Sequence, residues 1–237
     1  LAGLLACALI TQPLRADDLP ELGDVASNEL SPAMEKKIGQ QIMNEIRWRE
    51  PSYLDDPDIE NYLNQLGSRL VVVSNDPALG FQFFAINDPS INAAAFLGGR
   101  VKVHTGLFLY AESESELASV LAHEITHVTQ RHIARYMEAQ VSSSAMTLAG
   151  LVGSSALAVI NPTAGIAALQ TTLGLSMQSA INYTRDNEYE ADRIGMKTLY
   201  DAGFDPMGMA NFFQKLAAEY RYASKPPEML LTHPLPE

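Results

Sequence analysis

The chain of 237 residues carries a single cysteine, Cys7. One thiol excludes an internal disulfide and any zinc site built from several thiolates. Positive charge is also scarce: 16 Lys and Arg stand against 28 Asp and Glu, a formal charge of −12. That balance argues against nucleic acid as a partner and against simple docking on anionic lipid. Charge of either sign is missing from Ala139 to Thr184, yet Gly150, Gly153, Asn161-Pro162, Gly165 and Gly174 interrupt this apolar stretch. The interruptions predict two helical pieces joined near Asn161-Pro162 rather than one membrane span. Two readings stay open for 139–184: a buried helical hairpin, or a mobile apolar lid or surface that touches membrane or a membrane-protein substrate.

What is present divides the chain. Leu1 to Ile10 is an apolar run that passes through Thr11-Gln12-Pro13 to Ala16 and then the acidic Asp17-Asp18. It reads as a secretory signal peptide lacking its basic start, with a cut after Ala16, and a buried N-terminal helix is the alternative. Cys7 lies inside that leader, so a processed chain has no thiol and any metal must be held by His and carboxylate. The expected divisions are a partial signal peptide over 1–16, an extended acidic arm over 17–30, and one catalytic domain over 31–237.

Within that domain, Ser31-Pro32 opens a helix toward Glu50, with Ile38, Ile42 and Ile46 on one stripe. Asp56-Pro57 opens a second, carrying Ile59, Tyr62, Leu63, Leu66 and Leu70 inward. Phe81 to Ile86, Ile91 to Phe96 and Val101 to His104 have strand composition, the last two around the turn Leu97-Gly98-Gly99-Arg100. Thr105 to Tyr110 forms a short helix, and Ser113 to Gln140 reads as one long helix capped by Ser113 or Ser115. Ile181 to Asp201 is helical and closes at Ala202-Gly203, and Asp205-Pro206 starts a last helix through Tyr220. The expected fold is α+β, mainly helical, with a small antiparallel sheet beside the long helix.

The chemistry lies in His123-Glu124-Ile125-Thr126-His127. Residues four apart share a helix face, so His123 and His127 can reach one Zn²⁺ while Glu124 lies beside it as a general base. Catalytic zinc takes three protein ligands and keeps one position for water, so a third ligand is required. Glu188 and Asp192 sit at i and i+4 on a later helix, with Glu190 rotated away. Glu188 is the expected ligand, and Asp192 is placed to accept the outer N–H of a ligating His. The alternative for this pair is a solvated face paired with Arg185 or Arg193. The segment Asn92, Ala93, Ala94, Ala95 and Phe96 either binds an extended substrate by strand addition or is a plain structural hairpin. His104 and His132 are expected to be surface or packing residues.

HEITH, the strand INAAAFLGGRVKVHTGL and the downstream EYEAD together resemble the gluzincin peptidases that include HtpX and the CAAX prenyl proteases. The strings LASVLAHEITHVTQRHIAR, NEYEADRIG, AGFDP and PPEMLLTHPLPE are most similar to the periplasmic branch of that family, and the likeness runs from about Ser31 to the end. The resemblance implies a periplasmic endopeptidase with one Zn²⁺ per chain, His123, His127 and Glu188 as ligands and Glu124 as catalyst. Its implied partners are unfolded or misassembled outer-membrane proteins and the outer-membrane assembly machinery. It further implies a tetratricopeptide repeat domain after the protease domain, which this sequence does not include. His233 falls in a Pro-rich exit that matches the family; it is expected either to stabilise the oxyanion or to occupy the open zinc position. A competing function is a chaperone-like binding module for envelope proteins, with latent or minor proteolysis.

Overall fold

In a computed structural model of the chain, the described residues are 31–137, 139, 185–222, 227 and 229–230. The expectations for the leader, the acidic arm, the uncharged segment beyond residue 139 and His233 lie outside them.

Capping chemistry sets the helix starts. Helix α1 (Pro32–Arg49) begins where Ser31 Oγ accepts the Met34 N–H at 3.3 Å, with proline in the first turn. Helix α2 (Pro57–Val71) begins where Asp56 accepts from Asp58 and Ile59. Leu63, Leu66 and Leu70 are buried as expected, whereas Tyr62 is exposed. On α1 the inward residues are Glu35, Gly39 and Met43, and the isoleucine stripe is half-buried, lining a cleft with Ile86 and Phe96.

Strands β1 (Gln82–Ile86), β2 (Ala93–Phe96) and β3 (Arg100–His104) form a sheet of order β1-β3-β2. The fold class is α+β and mainly helical, but the sheet is mixed rather than antiparallel. β2 and β3 form the expected antiparallel pair, while β1 runs parallel to β3. The residues between β1 and β2 carry the chain past β3, so β2 closes the far edge and β3 lies in the middle. The β2–β3 turn needs left-handed backbone at Gly98 (φ 70°) and Gly99 (φ 76°), which glycine adopts without a Cβ penalty.

Helix α3 (Thr105–Tyr110) leads into α4 (Glu114–Thr129), whose start is fixed by a reciprocal cap. Ser113 Oγ accepts the Glu116 N–H, and the Glu116 carboxylate accepts the Glu112 N–H at 2.9 Å. α4 is buried along most of its length, against α2, β2 and a later helix, α7 (Met207–Tyr220). The single long helix expected over 113–140 is not continuous. It ends at Gln130, Arg131 takes φ 55°, and a further helix, α5, follows, described over 132–137 and at 139. A non-glycine residue in this conformation costs about 1–2 kcal/mol. Here Arg131 donates two hydrogen bonds to Glu35 Oε1, from Nε at 2.9 Å and Nη2 at 2.6 Å, which fixes the break to α1.

Helix α6, described over 185–201, crosses α4 at close range. A Cβ on Gly195 would stand 3.1 Å from the His123 backbone nitrogen. Asp192 and Glu188 lie three and seven residues before Gly195, on the same helix face, so this contact brings both carboxylates over the pentad. Gly195→Leu is therefore expected to destabilise the chain by about 1–3 kcal/mol through overpacking. Urea unfolding measures this, and an unchanged midpoint would show that the crossing has room to spare.

Candidate metal site

The α4–α6 crossing gathers three ligand atoms. His123 Nε2 and His127 Nε2 are 2.9 Å apart, and the Glu188 carboxylate lies 3.2 Å from the first and 3.6 Å from the second. Among the described residues these three form the group able to hold a metal ion. Tetrahedral zinc with bonds near 2.0–2.1 Å spaces its ligands by about 3.3 Å, so the cradle needs adjustments of only a few tenths of an ångström.

The hydrogen atoms follow from the partners. His123 Nδ1 is 2.9 Å from Asp192 Oδ1, an acceptor, so Nδ1 donates and Nε2 presents a lone pair. His127 Nδ1 is 2.9 Å from His132 Nδ1, and His132 Nε2 is 3.0 Å from Glu190 Oε2. Glu190 also accepts from Arg135 Nη1 at 2.9 Å. Burial works against ionisation of Glu190, but the hydrogen bonds from Arg135 and His132 outweigh it and hold the carboxyl below its usual range. His132 is neutral, because burial pushes it down to about 4 against partial compensation by Glu190. Its Nε2 therefore donates to Glu190, its Nδ1 accepts from His127, and His127 Nε2 presents a second lone pair.

Two imidazole lone pairs and a carboxylate thus face one point, an arrangement that only positive charge stabilises. The electrostatics point the same way. With no metal bound, burial works against charge on His123, yet the hydrogen bonds to Asp192 and Glu188 and the charge of Glu124 raise its imidazole to about 10, so a proton occupies the Nε2 lone pair that a metal would take over. The donor set of two imidazoles and one carboxylate suits zinc, so the residues present fit that ion.

Each residue singled out in the sequence can now be placed. His123, Glu124 and Glu188 are buried, His127 and Asp192 are half-buried, and all five meet at the crossing of α4 and α6. Asn92 is buried ahead of β2, while Ala93, Ala94, Ala95 and Phe96 make up β2 itself, an edge strand packed along α4. His104 is buried with Nδ1 2.8 Å from Ser90 Oγ, a packing role as expected. His132 is also buried, at 3% exposure, which fits the packing alternative, and it is in addition hydrogen-bonded to His127, a contact the sequence did not suggest. Glu190 points away from the ligand atoms and reaches His132 instead. Sequence spacing concealed both residues, since on a straight helix His132 would stand about 140° around the axis from His127. No helix among the described residues is long and apolar enough to cross a membrane.

The sequence profile described as Peptidase family M48 matches residues 57–237. The chain is 49% identical over 222 residues to the beta-barrel assembly-enhancing protease of Escherichia coli (strain K12), covering 94% of this chain and 45% of that protein. It is 55% identical over 220 residues to a Vibrio cholerae protein given the same name provisionally, covering 93% and 45%. More distantly, it is 28% identical over 212 residues to the mitochondrial metalloendopeptidase OMA1 of Schizosaccharomyces pombe, covering 87% and 59%. The chain spans about half the length of the beta-barrel assembly-enhancing proteases it matches. The chain belongs to peptidase family M48.

Asp192→Asn keeps the size of the side chain but can present an amide N–H to His123 Nδ1. Zinc affinity is expected to fall by about 10- to 100-fold with little change in folding. Titration of Zn²⁺ against a chelating indicator measures this; wild-type affinity would show that Asp192 does not orient His123.

Proposed function

We propose that this member of peptidase family M48 is a zinc-dependent endopeptidase of the periplasm that degrades misfolded or stalled outer-membrane proteins. The observation that carries the catalytic part is the convergence of His123 Nε2, His127 Nε2 and a Glu188 oxygen next to Glu124 on α4. His123, His127 and Glu188 would hold one Zn²⁺, with His233 as a further ligand or an oxyanion donor. The ion supplies Lewis acidity toward a water and toward the scissile carbonyl.

The remaining steps fall to the chain. Glu124 takes the proton from the attacking water on its carboxylate and delivers it to the leaving amine nitrogen. Burial at 1% exposure shields this carboxylate from bulk water. Among the described residues strand β2 has an unpaired edge alongside α4, where an extended peptide would be gripped through its backbone with little regard for sequence. Loose sequence preference suits an enzyme that meets many unfolded chains.

The substrate class and the compartment rest on two supports. Relatives at 49–55% identity bear the name beta-barrel assembly-enhancing protease, and the N-terminal run has the composition of a secretory leader. Glu124 in place beside the cradle favours the endopeptidase over a binding module with minor proteolysis.

Glu124→Gln is expected to keep zinc and fold while casein cleavage falls by at least about a hundredfold, because the amide cannot take the proton. Cleavage at the wild-type rate would overturn the mechanism. Glu188→Gln should instead lower zinc retention, and full stoichiometry at nanomolar free zinc would reassign the third ligand.

A further inference from the structure

We propose that His132 is a positioning residue of the metal site, accepting the outer N–H of His127 so that His127 Nε2 keeps its lone pair turned to the metal. The inference rests on the metal-site reading above and deepens it.

Geometry carries the assignment. His132 Nδ1 stands 2.9 Å from His127 Nδ1, and its other nitrogen stands 3.0 Å from Glu190 Oε2, which can only accept. With His132 Nε2 donating to Glu190 and His127 Nε2 turned to the metal, the proton between the two imidazoles sits on His127 Nδ1, and the bond runs from His127 to His132. Both ligating histidines are then oriented from behind, His123 by a carboxylate and His127 by an imidazole.

Charge explains the difference between the two acceptors. Glu124, Glu188 and Asp192 already act at His123 and His127. A carboxylate bonded directly to His127 would be a fourth negative group in a buried site. His132 keeps Glu190 one ring further from the metal, and Arg135 balances that charge at 2.9 Å. The helix break brings His132 back toward His127, and the Arg131–Glu35 ion pair holds the break. The chain thus uses a non-glycine left-handed residue to aim a hydrogen-bond acceptor.

The test compares zinc affinity of the full chain as wild type, His132→Asn, His132→Gln and His132→Leu, with Zn²⁺ alone titrated against a fluorescent chelator. The asparagine amide falls near the place of Nδ1, and the glutamine amide near that of Nε2. His132→Asn should stay within about threefold of wild type, whereas His132→Gln and His132→Leu should bind about 10- to 100-fold more weakly. Unfolding midpoints verify that each variant is folded. If His132→Leu does not fold, the Asn and Gln pair decides. Equal losses in folded His132→Asn and His132→Gln, or wild-type affinity in both, would overturn the proposal. A wild-type chain that takes up no zinc would instead overturn the metal-site reading itself.

Discussion

Three electron-pair donors held within 3.6 Å of one another, two of them on buried residues and one half-buried, are the constraint on which the rest of this molecule depends. Each alone is an ordinary buried polar group. Together they repel unless a cation joins them, and every neighbouring bond keeps them pointed inward. Asp192 withdraws the Nδ1 proton of His123 from the cradle, and His132 does the same for His127. The fold therefore stabilises a configuration that is unfavourable by itself, which is the expected character of a site built to bind metal.

The architecture serves that convergence through two close approaches. Gly195 lets α6 lie against the backbone of α4, which sets Glu188 and Asp192 over the pentad. The break at Arg131 then turns the chain so that α5 packs back on the same site. Around these contacts, α4 is buried by α2, β2 and α7, so its position is set by the core rather than by the metal. Among the described residues, α4 thus runs beside the β2 edge of the sheet, so the proposed base and the proposed peptide-binding strand would lie side by side.

The legible parts of this fold were those governed by local rules. Ser31-Pro32, Asp56-Pro57 and Ser113 mark helix starts through their own side chains, and the i, i+4 spacings of His123 with His127 and of Glu188 with Asp192 need only helical geometry. The pairing of β1 with β3 was not legible, because strand order depends on contacts between distant segments. The role of His132 was hidden for a similar reason: it requires a left-handed arginine whose partner, Glu35, lies 96 residues earlier. Glu190 carries a weaker signal, since rotation away from Glu188 on a helix does not reveal that it stands behind the site, against His132.

X-ray absorption at the zinc edge on the zinc-loaded chain tests the central claim most directly. The account predicts one zinc with at least two imidazole nitrogens and a carboxylate oxygen, at about 2.0–2.2 Å, and loss of one imidazole contribution in His127→Ala. A first shell holding fewer than two imidazoles, or one unchanged by that substitution, would contradict it.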